Sequence, residues 1–363
     1  MKSISKLIRD DLQGFAEYRS AEKENAEGDG NKSGRIWLNA NELPWSVVES
    51  VPENTHLNRY PEQQPAELLE LLAKNYGVST DHLLLSRGSD DAIDLLVRLF
   101  CNPKLDSVMI CPPTFGMYEV AVKIQGANLF SVPLIRSQDF QLDLTKILEA
   151  WRSHIKIIFI NSPNNPTGNL ISVDDIAVLC KTLSGKAIIV VDEAYIEFAE
   201  AESAIKLLDK YENMVVLRTL SKAYGLAGAR CGITFSSHEV VTWLRKVMPP
   251  YPLASLTIDA VIKTFEPENI ARINAYIKTV EAERDKLYEA FKEIPSITKV
   301  WPSRANFILV ETFNVEKFID YCVKQGIIVR NVSHHESLTN CVRISIGTPE
   351  QNAQLLDILK KMP

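Results

Sequence analysis

No stretch of this chain approaches the roughly 18 consecutive apolar residues that a membrane span needs. Met1 to Leu12 mixes Lys, Arg and Asp with short apolar pieces, so the apolar core of a secretory leader is missing too. Cysteine is sparse and scattered: Cys101, Cys111, Cys180, Cys231, Cys322 and Cys341 form no C-x-x-C pair, which leaves little support for a disulfide framework or a metal site. Several lie in apolar runs, where cysteine behaves as a small core residue. The six histidines do not cluster with the cysteines, and the adjacent His334 and His335 sit in a polar stretch where solvation is the expectation. A basic surplus is also lacking. With 40 Lys and Arg against 46 Asp and Glu, and a net charge of −6, the chain carries no electrostatic footprint for nucleic acid. There is no P-loop and no G-x-G-x-x-G, so nucleotide readings lose their best sequence support. These absences lead to the expectation of a reduced, cytoplasmic protein without a metal.

What is present is an ordinary globular composition, 46% apolar and 24% charged over 363 residues. That length is long for one core and predicts two domains. Residues Glu22 to Arg35 are polar and glycine-containing, and read as a flexible arm. Helical period over Glu67 to Tyr76 is followed by a short apolar strand, His82 to Ser86, and a helix over Asp91 to Phe100. Strand-like runs recur at Ser107 to Cys111, Asn128 to Pro133, Lys156 to Ile160, Ala187 to Val191, Met214 to Leu217 and Cys231 to Phe235, with amphipathic stretches such as Leu142 to Ser153 and Val173 to Leu183 between them. This alternation predicts an α/β domain with a mostly parallel central sheet. After Pro249-Pro250-Tyr251-Pro252 come a long helix, Pro267 to Glu293, strands at Ile297 to Trp301, Asn306 to Val310, Gly326 to Val329 and Cys341 to Ile346, and a closing helix, Pro349 to Lys361. They predict a smaller α+β domain. The expected division is an arm over 1–45, a large domain over 46–252 and a small one over 253–363.

Four segments carry candidate chemistry, and a fifth joins them in their company. In Thr219-Leu220-Ser221-Lys222-Ala223-Tyr224-Gly225-Leu226-Ala227-Gly228-Ala229-Arg230, one lysine follows an apolar strand among hydroxyls and small residues. A lysine that forms a Schiff base needs such access and a pKa lowered by cations or desolvation, and Ser221 and Arg230 suit a phosphate beside it. Gly88-Ser89-Asp90 lies between a strand and a helix, where backbone N–H groups form an anion site; the plainer alternative is that Ser89 or Asp90 caps the helix. Ala187 to Tyr195 places Asp192 at the carboxyl end of a buried strand, where α/β sheets hold ligands, with Tyr195 nearby. Asn161-Ser162-Pro163-Asn164-Asn165-Pro166-Thr167-Gly168 is a proline-fixed loop after another strand. Phe115, in Pro112-Pro113-Thr114-Phe115-Gly116-Met117-Tyr118, suits a flat ligand or simple packing.

This set, in this order, resembles the fold-type I pyridoxal-phosphate aminotransferases, and the resemblance extends over nearly the whole chain. Trp37-Leu38-Asn39-Ala40-Asn41-Glu42, Asn58-Arg59-Tyr60-Pro61, Glu193 to Phe198, Leu217 to Ala223 and Arg343-Ile344-Ser345-Ile346-Gly347-Thr348 narrow it to the histidinol-phosphate branch of class II. The resemblance implies a seven-stranded, mostly parallel sheet and pyridoxal 5'-phosphate as cofactor. It implies that Lys222 binds the cofactor and moves the substrate proton, and that Asp192 pairs with the ring nitrogen. Tyr195 and Asn165 would bond the ring oxygen, Phe115 would stack on the ring, and Ser89, Asp90, Ser221 and Arg230 would surround the phosphate. Tyr60 would reach the phosphate of the neighbouring subunit's cofactor, which implies a homodimer with shared active sites. Tyr18, Asn41, Arg330 and Arg343 would bind substrate: Arg343 the carboxylate of glutamate or 2-oxoglutarate, Arg330 the phosphate of histidinol phosphate. Glu22 stands where many relatives carry arginine, which weakens the assignment of Tyr18. The implied activity is reversible transamination in histidine biosynthesis. A threonine-phosphate decarboxylase and an aromatic-amino-acid aminotransferase remain open alternatives, because the angle that selects the reacting bond is not written in the sequence.

Overall fold

The computed structural model describes residues 36–37 and 61–362. Seven strands form the central sheet: β2 (Leu83–Ser86), β3 (Ser107–Ile110), β4 (Asn128–Ser131), β5 (Ile155–Asn161), β6 (Ile188–Asp192), β7 (Met214–Thr219) and β8 (Gly232–Ser236), in the order β2-β8-β7-β6-β5-β3-β4. Only β8 runs against its neighbours; the pairs from β7 across to β4 are parallel. The sheet therefore gathers the carboxyl ends of β2, β3, β5, β6 and β7 along one edge.

The strands read as continuous apolar runs because helices cover both faces. Alternate residues go to opposite sides: Ile157, Phe159, Val190, Val215 and Leu217 pack with α2 (Ser89–Phe100), α3 (Met117–Gln125) and α6 (His238–Val247), whereas Ile158, Ile160, Ile189, Val191 and Val216 join the other core. That second core also holds α1 (Ala66–Tyr76), α5 (Val173–Thr182) and α8 (Pro267–Phe291), and continues into a four-stranded antiparallel sheet. This sheet comprises β9 (Ile297–Val300), β10 (Phe307–Thr312), β12 (Arg330–Asn331) and β13 (Cys341–Ser345), ordered β12-β13-β10-β9. The last helix, α10 (Pro349–Leu359), starts at a reciprocal cap between Thr348 and Gln351, the arrangement that satisfies two orphan N–H groups at once.

Of the run from Gly326 to Val329, read as one strand, only Ile327–Ile328 is strand, and a separate short strand in another sheet follows it. Ile327–Ile328 (β11) pairs in parallel with Ile36–Trp37 (β1), and the chain then crosses so that Arg330–Asn331 pairs with β13. Four helices escape the sequence reading: α3, α6, α7 (Ser255–Thr264) and α9 (Val315–Lys324). All four mix β-branched or aromatic residues into their apolar stripe, which weakens propensity while packing decides. Among the described residues no helix is long and apolar enough to cross a membrane, and no cluster of His, Cys, Asp and Glu suits a metal. All six cysteines are free and buried. Of the adjacent histidines, His334 is exposed as expected, whereas His335 is half-buried with its ring 4.3 Å from that of His334, and burial, then His334 and Arg330, pushes His335 down to about 4.

Candidate active site

Among the described residues, the predicted cofactor-binding side chains come from the carboxyl edge of the central sheet and the helix that follows β2. Lys222 follows β7 and is half-buried, its Nζ 5.9 Å from the ring centre of Tyr195. Tyr195 and Asp192 come from the end of β6, Asn165 from the loop after β5, and half-buried Phe115 from the loop after β3.

Beside Lys222 lies an anion cradle. Gly88 precedes α2 at φ 83°, and no side chain caps the helix, so the capping alternative for Ser89 and Asp90 does not hold. The missing side chain matters: a Cβ on Gly88 would stand 2.7 Å from Arg230 Nη2, and one on Gly232 would stand 2.4 Å from the Gly88 carbonyl carbon. Arg230 itself is left-handed, at φ 56°, a conformation uncommon for a non-glycine residue. Its guanidinium donates to Asp90 Oδ2 at 3.2 Å and to Ser221 Oγ at 3.4 Å. Backbone N–H groups, a hydroxyl and a guanidinium thus meet at one helix start.

Asp192 is 1% exposed. Its Oδ2 accepts from Tyr118 Oη at 2.8 Å and its Oδ1 from the Ala194 N–H at 3.1 Å. Burial pushes the carboxyl up to about 6, against the pull of those two donors. An anion held this far from water calls for a cation.

At the other side Asn165 links the two sheets. Its Nδ2 donates to Tyr195 Oη at 3.3 Å, and its Oδ1 accepts from Arg343 Nη1 at 2.5 Å. Arg343 in β13 stands directly opposite Arg330 in β12, and both are buried. Phe307 packs against both Tyr195 and Arg343, 5.2 Å from the Tyr195 ring and 5.3 Å from the Arg343 guanidinium. A second joint lies at the end of the asparagine loop, where Gly168 accepts from the Arg304 N–H at 2.7 Å and a Cβ on it would meet Ser303.

Residues 33–359 match the family described as Aminotransferase class I and II. The chain belongs to the class I and II aminotransferases. The histidinol-phosphate aminotransferase of Francisella philomiragia is 40% identical to this aminotransferase over 361 residues, covering 99% of this chain and 96% of the relative. Among solved structures, the histidinol-phosphate aminotransferase from Sinorhizobium meliloti in complex with pyridoxal-5'-phosphate superposes with a TM-score of 0.81 at 23% identity, over 90% of each chain. The L-threonine-O-3-phosphate decarboxylase from Porphyromonas gingivalis superposes with a TM-score of 0.76 at 21% identity, over 90% of this chain and 98% of the decarboxylase. The fold is thus the fold-type I transferase fold, and it is common to enzymes of both reactions.

Three of the predicted site residues of this aminotransferase, Tyr18, Asn41 and Tyr60, lie outside the described residues. Sequence reasoning also missed several that shape the site. Tyr118 and Asn161 sit within quoted motifs, yet only the fold brings them to Asp192 and Asn165. Arg218 is buried with Glu193 and Glu197, donating to them at 3.1 and 2.7 Å. Burial works against the Arg218 charge, but Glu197, Tyr76 and Glu193 outweigh it and hold its pKa above the ordinary value. This ion cluster ties the ends of β6 and β7, which carry Asp192 and Lys222. Its sequence signal was the pair of acids after Asp192 and an arginine before Lys222, all in otherwise apolar runs.

Proposed function

We propose that the chain is a pyridoxal-phosphate-dependent transaminase acting between L-histidinol phosphate and 2-oxoglutarate, giving imidazole acetol phosphate and L-glutamate. One observation carries this reading: a lysine, a buried carboxylate and an anion cradle face a pair of buried arginines across a single asparagine. The relatives at 40% identity over nearly the full length support the choice of substrate.

The residues fit the cofactor on two structural grounds. The buried Asp192, its pKa raised to about 6 by burial, suits a protonated ring nitrogen. The Gly88 turn, which a Cβ would fill, suits a phosphate under Arg230. When bound, pyridoxal phosphate supplies a cationic ring that takes up the electron pair left at the substrate Cα. Ser89, Asp90, Ser221 and Arg230 would seat its phosphate, with the Asp90 carboxylate held on Arg230 rather than on the anion. Tyr195 and Asn165 would donate to the ring oxygen, Phe115 would cover one ring face, and Tyr60 would reach across a homodimer to the neighbouring phosphate. Lys222 would hold the cofactor at rest and, once released by substrate, use its Nζ to take the proton from Cα and return it on the far side of the transfer. Arg343 would receive the carboxylate of glutamate and Arg330 the substrate phosphate, with Tyr18 and Asn41 completing the pocket. Planar guanidinium groups match both anions.

The same reading divides the chain at 45 and 252, takes the working unit to be a homodimer, and sets it in the cytoplasm. Light scattering of the purified protein tests the dimer. For the chemistry, Lys222→Ala abolishes turnover while the protein still binds the cofactor without a covalent bond; turnover at the native rate in that variant would contradict the mechanism.

A further inference from the structure

Tyr118 is fully buried, its ring stacked on Phe159 at 4.4 Å and met edge-on by Phe115 at 5.7 Å. The direction of the hydrogen bonds around it follows from one backbone group. The Asn165 N–H can only donate, and it donates to Asn161 Oδ1 at 2.6 Å. That fixes the Asn161 amide, so its Nδ2 faces Tyr118 and donates to the phenolic oxygen at 2.9 Å. A phenol carries a single proton. With an N–H already aimed at the Tyr118 oxygen, that proton points to Asp192 Oδ2 at 2.8 Å. Burial, then the charge of Asp192, holds the Tyr118 pKa well above its ordinary value, so the proton stays on the phenol. Two donors therefore converge on Asp192, Tyr118 at one oxygen and the Ala194 N–H at the other. An ionised carboxylate only accepts, whereas a protonated Asp192 would bring a further proton into a set of donors.

We propose that Tyr118 is a positioning residue for Asp192: through a hydrogen bond whose direction Asn161 and the Asn165 backbone dictate, it holds the carboxylate as an acceptor for the cofactor's ring nitrogen. The inference rests on the proposed seat of that nitrogen at Asp192. It assigns the Tyr118 hydroxyl a task separate from the packing of its ring, which faces Phe159 and Phe115.

The test compares two ligands on the cofactor-free protein: pyridoxal phosphate and its deaza analogue, in which a C–H replaces the ring nitrogen. Dissociation constants are measured for the native protein and for Tyr118→Phe, which keeps the ring and removes the proton. The native protein is expected to prefer pyridoxal phosphate. In Tyr118→Phe that preference shrinks about tenfold, the scale of one charge-assisted hydrogen bond, because affinity falls for pyridoxal phosphate and hardly changes for the analogue. A preference unchanged in Tyr118→Phe, or an equal loss for both ligands, overturns the role of Tyr118. No preference in the native protein overturns the reading of Asp192 itself, and the two failures are thereby distinguished. Should Tyr118→Phe not fold, Asn161→Ala removes the group that orients the phenol. Its preference is expected to fall several-fold, and an unchanged preference there overturns the proposal.

Discussion

Arg330 and Arg343 are direct cross-strand partners in β12 and β13, two buried guanidinium groups on one face of an antiparallel pair. Like charges placed opposite each other disfavour a sheet, so the arrangement makes sense as a receiver of anions. A charge-assisted hydrogen bond contributes about 1.5–3 kcal/mol, or roughly 10- to 150-fold in kcat/KM. Arg343→Ala should lower kcat/KM for 2-oxoglutarate by that factor. Arg330→Ala should do the same for the phosphate-bearing donor. Steady-state kinetics with each substrate varied in turn reads both, and an equal loss on both substrates in both variants would contradict the division of labour.

Gly232 backs the anion cradle. A Cβ there would lie 2.4 Å from the Gly88 carbonyl carbon and 2.6 Å from the Ser89 nitrogen, and neither backbone atom can swing aside as a side-chain tip would. Gly232→Ala should therefore cost about 1–3 kcal/mol in overpacking and weaken cofactor binding together. Urea unfolding and cofactor titration are the two measurements; native affinity in a destabilised variant would show that the cradle does not depend on this contact.

Arg218 is expected to be a stability residue. Arg218→Met leaves Glu193 and Glu197 buried without their cation, and breaking a buried pair in this way costs about 3–5 kcal/mol. The urea midpoint should fall accordingly. Adding Glu193→Gln and Glu197→Gln should recover part of the loss, and no recovery would mean that the arginine acts mainly through packing on Tyr76, whose ring lies 5.3 Å away.

The pH dependence follows from Asp192. Its folded-state pKa, raised by burial to about 6, lies above the ordinary carboxylate value, so the folded chain binds the proton more tightly than the unfolded chain does. This carboxyl's contribution to stability is therefore fully present at acid pH and is lost as pH rises through about 6. Binding of a cationic ring nitrogen needs the anion, so the preference for pyridoxal phosphate over its deaza analogue should decline as pH falls through about 6. Because both ligands share the phosphate, its own titration cancels from the ratio. A ratio flat from pH 5 to 8 would contradict the pairing.

Much of this site could be read from the chain because its parts lie at strand ends. Asp192, Asn165 and Lys222 each follow an apolar run, and parallel strands bring such positions to one edge. The contacts that hold them could not be read this way. Tyr118 lies in α3, whose stripe of Tyr118, Ala121 and Val122 is too short and too β-branched to stand out. The pairing of Arg330 with Arg343 depends on the chain changing sheets at Val329, a register choice that no local pattern announces. The Arg218 cluster joins residues separated by 25 and 21 positions, and only the adjacency of β6 and β7 brings them together.

The most direct test of the central claim is a comparison of amino donors. L-Histidinol phosphate, L-phenylalanine and O-phosphothreonine are each supplied with 2-oxoglutarate, and both glutamate and carbon dioxide are measured. The account predicts one glutamate for each histidinol phosphate consumed, at the highest kcat/KM of the three, with no carbon dioxide from any donor. Carbon dioxide from phosphothreonine without glutamate, or a higher kcat/KM for phenylalanine, would contradict it.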